Sequence, residues 1–136
     1  MSTMDGNGAA AAAVYFIELY GYVLQTGDLT EWNAMSYPDC EFCTSVQTSI
    51  PAVYANGGRI EGGDLSAEVL AVQDLDSFVG GYPVDLRVTQ QASRMYSADG
   101  TVSDSTTVST KSGRFYTIFV NGAWQIAEVS GIKEGS

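Results

Sequence analysis

Cys40 and Cys43 are the two cysteines of the chain, and a Cys-x-x-Cys pair can close a bond, exchange one, or supply two ligands to a metal. Three readings are open on this spacing. A structural disulfide would close a short loop in an oxidising compartment. A thiol-disulfide oxidoreductase would use the start of the following helix to stabilise a thiolate, but Asp39 and Glu41 flank the pair with negative charge that opposes one. A zinc site needs about four ligands, so carboxylates or a second subunit would have to complete it, because the chain has no histidine. No metal and no cofactor is expected.

The missing histidine also removes Ser-His-Asp and Cys-His catalysis and the usual general base near neutral pH. An enzyme built on this chain has to work with carboxylates or tyrosines. The glycine pairs Gly57-Gly58, Gly62-Gly63 and Gly80-Gly81 lack the Gly-Lys-Ser/Thr ending and the strand-to-helix setting of a phosphate loop, so they are expected to be turns.

Sixteen acidic against six basic residues give a formal charge of −10, and the basic ones (Arg59, Arg87, Arg94, Lys111, Arg114, Lys133) are scattered. Such a field repels phosphates and anionic headgroups, so neither nucleic acid nor an electrostatically held membrane is an expected partner. A chain of 136 residues that is 45% hydrophobic fits one folded domain. Its longest apolar run starts at Ala9 and is broken by Glu18, too short to span a bilayer, and no basic leader opens the sequence. The expected organisation is a flexible lead-in over 1–8, a single domain over 9–133 and a tail over 134–136, in a soluble fragment or mature form.

The elements that would position these residues follow from periodicity. Ala9 to Gln25 is helical in pattern and apolar on most faces, with Gly27 to end it. Asp28 with Glu31 resembles a capping box opening a short helix through Trp32 and Met35. Asp39 is the expected N-cap of a third helix carrying Cys43, Val46, Ile50, Val53 and Tyr54 on one face and ending at Gly57-Gly58, with Pro51 expected to kink or split it. Beyond Gly58 the period becomes two, with strands over 65–71 and 84–89. A Ser/Thr-rich connection over 97–112 should turn at Asp99-Gly100, and Asn121-Gly122 should join strands 114–120 and 123–129 through a type I′ turn. Helices first and antiparallel strands afterwards predict an α+β fold with a curved sheet around the helices.

Tyr15, Tyr20, Thr26-Gly27-Asp28, Ser36, Cys40-Glu-Phe-Cys43, Tyr54-Ala-Asn-Gly-Gly58 and Glu61-Gly-Gly63 come in an order that resembles an uncharacterised family of actinobacterial lipoproteins. The resemblance is carried by about Ala9 to about Leu70. It implies a secreted, lipid-anchored domain of unknown function with the cone fold of nuclear transport factor two and ketosteroid isomerase, a cystatin-like architecture. The oxidising compartment it implies favours a Cys40–Cys43 disulfide. No lipobox cysteine precedes the domain in this sequence, so the anchor is inherited by resemblance alone.

A cone of that superfamily can hold a pocket, for which Tyr15, Tyr22, Trp32, Asp85 and Tyr116 are the candidate lining residues. The competing reading of each is ordinary: aromatics at these spacings are usually core, and Asp85 alternates with apolar neighbours as a solvent-facing strand residue does. No catalytic residue is assigned. The expected function is a non-enzymatic, exported or lipid-anchored cell-envelope domain that binds a protein or a small ligand. The alternatives are a ketosteroid-isomerase-type enzyme using a pocket carboxylate and tyrosine, and a redox protein working through Cys40 and Cys43. A homodimer through the sheet face is a further expectation, because Phe115 to Val120 is apolar on both faces.

Overall fold

The computed structural model describes residues 5–75, 81–120 and 122–131. Three helices come first, α1 (Gly6–Thr26), α2 (Thr30–Met35) and α3 (Glu41–Ala55). Among the described residues seven strands follow: β1 (Arg59–Gly62), β2 (Leu65–Val72), β3 (Gly81–Gln90), β4 (Ser93–Tyr96), β5 (Val102–Thr106), β6 (Ser109–Val120) and β7 (Ala123–Gly131). Every strand pairing is antiparallel, in a sheet of order β2-β3-β6-β7 and a smaller one of order β1-β4-β5. This is the α+β architecture expected, with the helices held in the concave face of the larger sheet.

Helix α1 begins inside the segment expected to be a flexible lead-in, because Asp5 Oδ1 accepts the Gly8 amide at 2.9 Å and caps it. The helix runs through the centre of the core, where Ala12, Phe16 and Val23 have no exposed surface. Its apolar residues meet Val84, Leu86, Phe115 and Ile126 of the sheet, and Trp32 of α2 stacks on Phe16 with ring centroids 4.0 Å apart. An indole buried this completely must satisfy its N–H, and Trp32 Nε1 donates to the Cys43 carbonyl at 3.1 Å.

The expected helix starts shift in detail. Asp28 Oδ1 accepts the Thr30 amide at 3.0 Å, but Leu29 is the N-cap of α2, and Glu31 instead accepts the Tyr15 hydroxyl, so the reciprocal capping box does not form. Cys40 rather than Asp39 caps α3, its sulfur accepting the Cys43 amide at 3.2 Å. Helix α3 continues through Pro51 as one element.

The stretch expected as one long connection contains β5 and the first residues of β6, and the turn at Asp99-Gly100 forms as expected, with Ser97 N–H donating to Thr101 at 2.8 Å. Val120 pairs with Ala123, so two residues join β6 and β7; Gly122 has φ 83°, and Asn121 lies outside the described residues, as do Gly80, Lys133 and the tail. A bulge between Val69 and Ala71 breaks the simple alternation expected of β2, pairing Ala71 with Asp85 and Val72 with the buried Val84.

Candidate functional site

Strand register decides which side chains look into the cone. Val84, Leu86 and Val88 of β3 pair with Phe115, Gly113 and Lys111 of β6, so Lys111, Gly113 and Phe115 share the concave face with the core residues of β3. Toward the closed end this face is filled by Phe115, Val84 and Leu86 against α1. Toward the open end Gly113, opposite Leu86 and Gly131, contributes no side chain. A Cβ there would stand 3.3 Å from the Phe115 ring.

The result is a cleft of about 310 Å³ between α1, the start of α3 and the strands of the larger sheet. Small-molecule sites begin at about this size. Its walls are apolar: Ile17 and Tyr20 from α1, Phe42 from α3, Leu65 from β2, Val88 from β3 and Phe115 from β6. Its polar groups come from Gln90, Lys111, Ser109, Ser112 and Ser130. Tyr20 and Phe42 meet edge to face at 5.5 Å and both lean on Trp32, so the core indole holds this wall in place. Burial pushes the Tyr20 phenol up, which keeps it a neutral hydrogen-bond donor around pH 7.

The five candidate lining residues are not brought together at this cleft. Trp32 is sealed in the core behind the wall. Tyr15 lies in a shallow groove beside Val69, its hydroxyl donating to Glu31. Tyr22 is 48% exposed and donates to Asp28 at 2.8 Å. Asp85 and Tyr116 stand on the opposite face of the sheet. There Arg114 grips Asp85 with Nε at 2.7 Å and its second nitrogen at 3.0 Å, while Gln73 adds a bond at 3.2 Å. Those bonds from Arg114 hold the Asp85 carboxyl below the ordinary carboxylate range, opposite to what a general base needs.

Tyr20, Phe42, Gln90 and Lys111 were not among the lining residues expected from the sequence, although Tyr20 and Phe42 lie in the pattern that carried the resemblance. Counting back by twos from an inward Phe115 reaches Gly113 and Lys111, so periodicity held a signal for the lysine once that strand's inner face was known. Tyr20 and Phe42 had no such signal, since only the docking of α3 on α1 brings them together.

On the outer face of β6, Tyr116 and Ile118 point away from the helices within the range expected to be apolar on both faces, and Arg114 precedes them. Glu68 and Arg87 add an ion pair at 2.6 Å between β2 and β3.

Cys40 and Cys43 are bonded to one another and neither sulfur-bearing residue has exposed surface. Among the described residues no group of three or more His, Cys, Asp or Glu could hold a metal ion. Among them, too, no helix is long and apolar enough to cross a membrane.

Helices enclosed by a strongly curved antiparallel sheet place the chain in the cone-shaped class typified by nuclear transport factor two, and solved structures agree. The intermembrane space region of the chloroplast protein ARC6 is similar over 97% of this chain and 99% of that one, at 12% identity and a TM-score of 0.72. A nuclear transport factor 2 (NTF2-like) superfamily protein from Salmonella enterica serovar Typhimurium covers 95% of each chain at 11% identity, TM-score 0.53. The Kfla4162 protein from Kribbella flavida covers 96% of this chain and 93% of its own at 10% identity, TM-score 0.54. These identities establish the fold alone. The chain itself belongs to the Family of unknown function (DUF6318), whose model matches residues 1–130, well past the segment that carried the resemblance. No curated protein sequence matches it.

Proposed function

We propose that this chain is a binding domain of the cell envelope, exported and lipid-anchored in its full-length form, that holds a small apolar ligand in the open end of its cone without transforming it. The observation that carries the reading is the cleft: apolar walls from two helices and the larger sheet, a free mouth, and a small number of polar groups at its rim. A buried Cys40–Cys43 bond supports export, because disulfides persist in oxidising compartments. Lipid anchoring and an actinobacterial setting rest on the family resemblance. The ketosteroid-isomerase alternative requires a carboxylate facing the ligand, and among the described residues lining the cleft none is acidic. A redox role requires a sulfur that a partner thiol can reach, and both cysteines are enclosed.

The test is a titration of small apolar compounds followed by two-dimensional NMR. Shifts centred on Ile17, Tyr20, Val88 and Phe115 are expected. Ser109 lies on the same face as Lys111 at the mouth, and Ser109→Trp should block those shifts while leaving the fold intact. Binding that survives Ser109→Trp, or shifts centred elsewhere, would remove the cleft as the site.

A further inference from the structure

The charge of the cleft is the reverse of the charge of the chain. Sixteen acidic residues stand against six basic ones, yet among the described residues lining the cleft none is acidic and Lys111 is cationic. Arg59, Arg87 and Arg114 are each committed to a carboxylate, at 2.8, 2.6 and 2.7 Å. Lys111 makes no ion pair among the described residues. Its place opposite Val88 sets the lysine stem along the apolar concave face, with the ammonium free to reach the mouth. The Tyr20 hydroxyl has no hydrogen-bond partner among the described residues, and the Gln90 amide lies at the same rim.

Resting on the cleft reading above, we infer that the ligand is a small amphipathic anion, its carboxylate held at Lys111 and its hydrocarbon body against Ile17, Val88 and Phe115. An ammonium at the mouth of an apolar slot rewards a ligand that is charged at one end only. A neutral ligand leaves that charge unused, and a cation is repelled by it. The chain's overall negative charge works the other way at long range, but the Debye length is ~8 Å at physiological salt, so a bound headgroup answers mainly to its neighbours. Size is consistent: a cleft of about 310 Å³ stands at the lower end of the range of small-molecule sites, which suits a short-chain carboxylate.

The experiment compares octanoate, octanol and octylammonium by calorimetry and NMR on the wild-type chain, Lys111→Gln and Ser109→Trp. Octanoate should bind about fivefold tighter than octanol, the factor that a ~1 kcal/mol exposed charge contact supplies. Lys111→Gln should erase that difference, and added salt should weaken octanoate alone. Equal binding of octanoate and octanol, a preference for octylammonium, or an octanoate preference that survives Lys111→Gln would overturn the anion assignment while leaving the cleft in place. Failure of all three to bind, or binding that ignores Ser109→Trp, would overturn the cleft reading and the anion assignment with it.

Discussion

Replacing Asp85 with Asn isolates the one largely buried charge described on the sheet. The Asp85 side chain is 10% exposed and that of Arg114 is 35% exposed, and two bonds at 2.7 and 3.0 Å join them. Hydrogen bonds to charged groups contribute ~1.5–3 kcal/mol each when well buried. Exposed ion pairs are worth ~0–1 kcal/mol, and Arg114 is partly open to solvent, so the loss should fall between these limits, about 2 kcal/mol for Asp85→Asn. With a urea slope of ~2 kcal/mol/M that is a midpoint lower by about 1 M. The pH dependence carries a sign. Arg114 lowers the folded-state pKa of Asp85 below the ~3.9 of an unfolded aspartate. The carboxylate's contribution is therefore complete above about pH 3.9 and fades as pH falls through the lower folded value. Urea titrations read by the emission of Trp32 and Trp124, from pH 7 to pH 2.5, should show the gap between wild type and variant constant at first and shrinking in the acid range. Asp28 and Asp99, also lowered, titrate in both proteins and cancel in the difference. A gap under about 0.5 kcal/mol at pH 7, the scale of an ordinary surface substitution, or one that widens on acidification, would refute the reasoning.

Protein prepared without reductant should show no reactive thiol, folded or unfolded; two free thiols would remove the support for export. Because the loop between Cys40 and Cys43 is so short, replacing both by Ala should cost only about 2 kcal/mol in chain entropy by chemical denaturation. Gly62 and Gly100 both have positive φ, at 76° and 88°, but a Cβ on Gly62 would lie 2.4 Å from the Ala92 carbonyl while one on Gly100 meets nothing within 4 Å. Gly100→Ala should therefore cost about 1 kcal/mol of backbone strain, and Gly62→Ala clearly more, with the smaller sheet displaced in NMR spectra. Equal costs would mean that β1 gives way without loss.

The three helices, most of the strands, the Asp99-Gly100 turn and the fold class were legible in the sequence, because each is announced locally. Ala9 to Gln25 repeats its apolar residues at the helical period, the Ser/Thr/Asp/Gly cluster marks a turn, and strands such as Val84-Asp-Leu-Arg-Val88 alternate over a few residues. The misplaced boundaries moved to neighbouring caps: Asp5 caps α1 inside the expected lead-in, and Cys40 caps α3 with a sulfur whose role depends on its neighbour three residues on.

The cleft was a different matter. Whether an aromatic is wall or core depends on what lies behind it, and Trp32 is core only because Phe16 stacks on one side and Tyr20 and Phe42 close the other. Asp85 alternates like a solvent-facing residue, and only the register of β3 on β6 gives it Arg114 as a partner and takes it away from the cone's interior. Lys111 became a site residue for the same reason, since one step of register would have turned it to the outer face. Composition and period therefore settle which elements form, by local propensity and burial of one face. The tertiary packing alone decides which side chains share a cavity, because residues from α1, α3, β2, β3, β6 and β7 meet there only through contacts far apart in the chain.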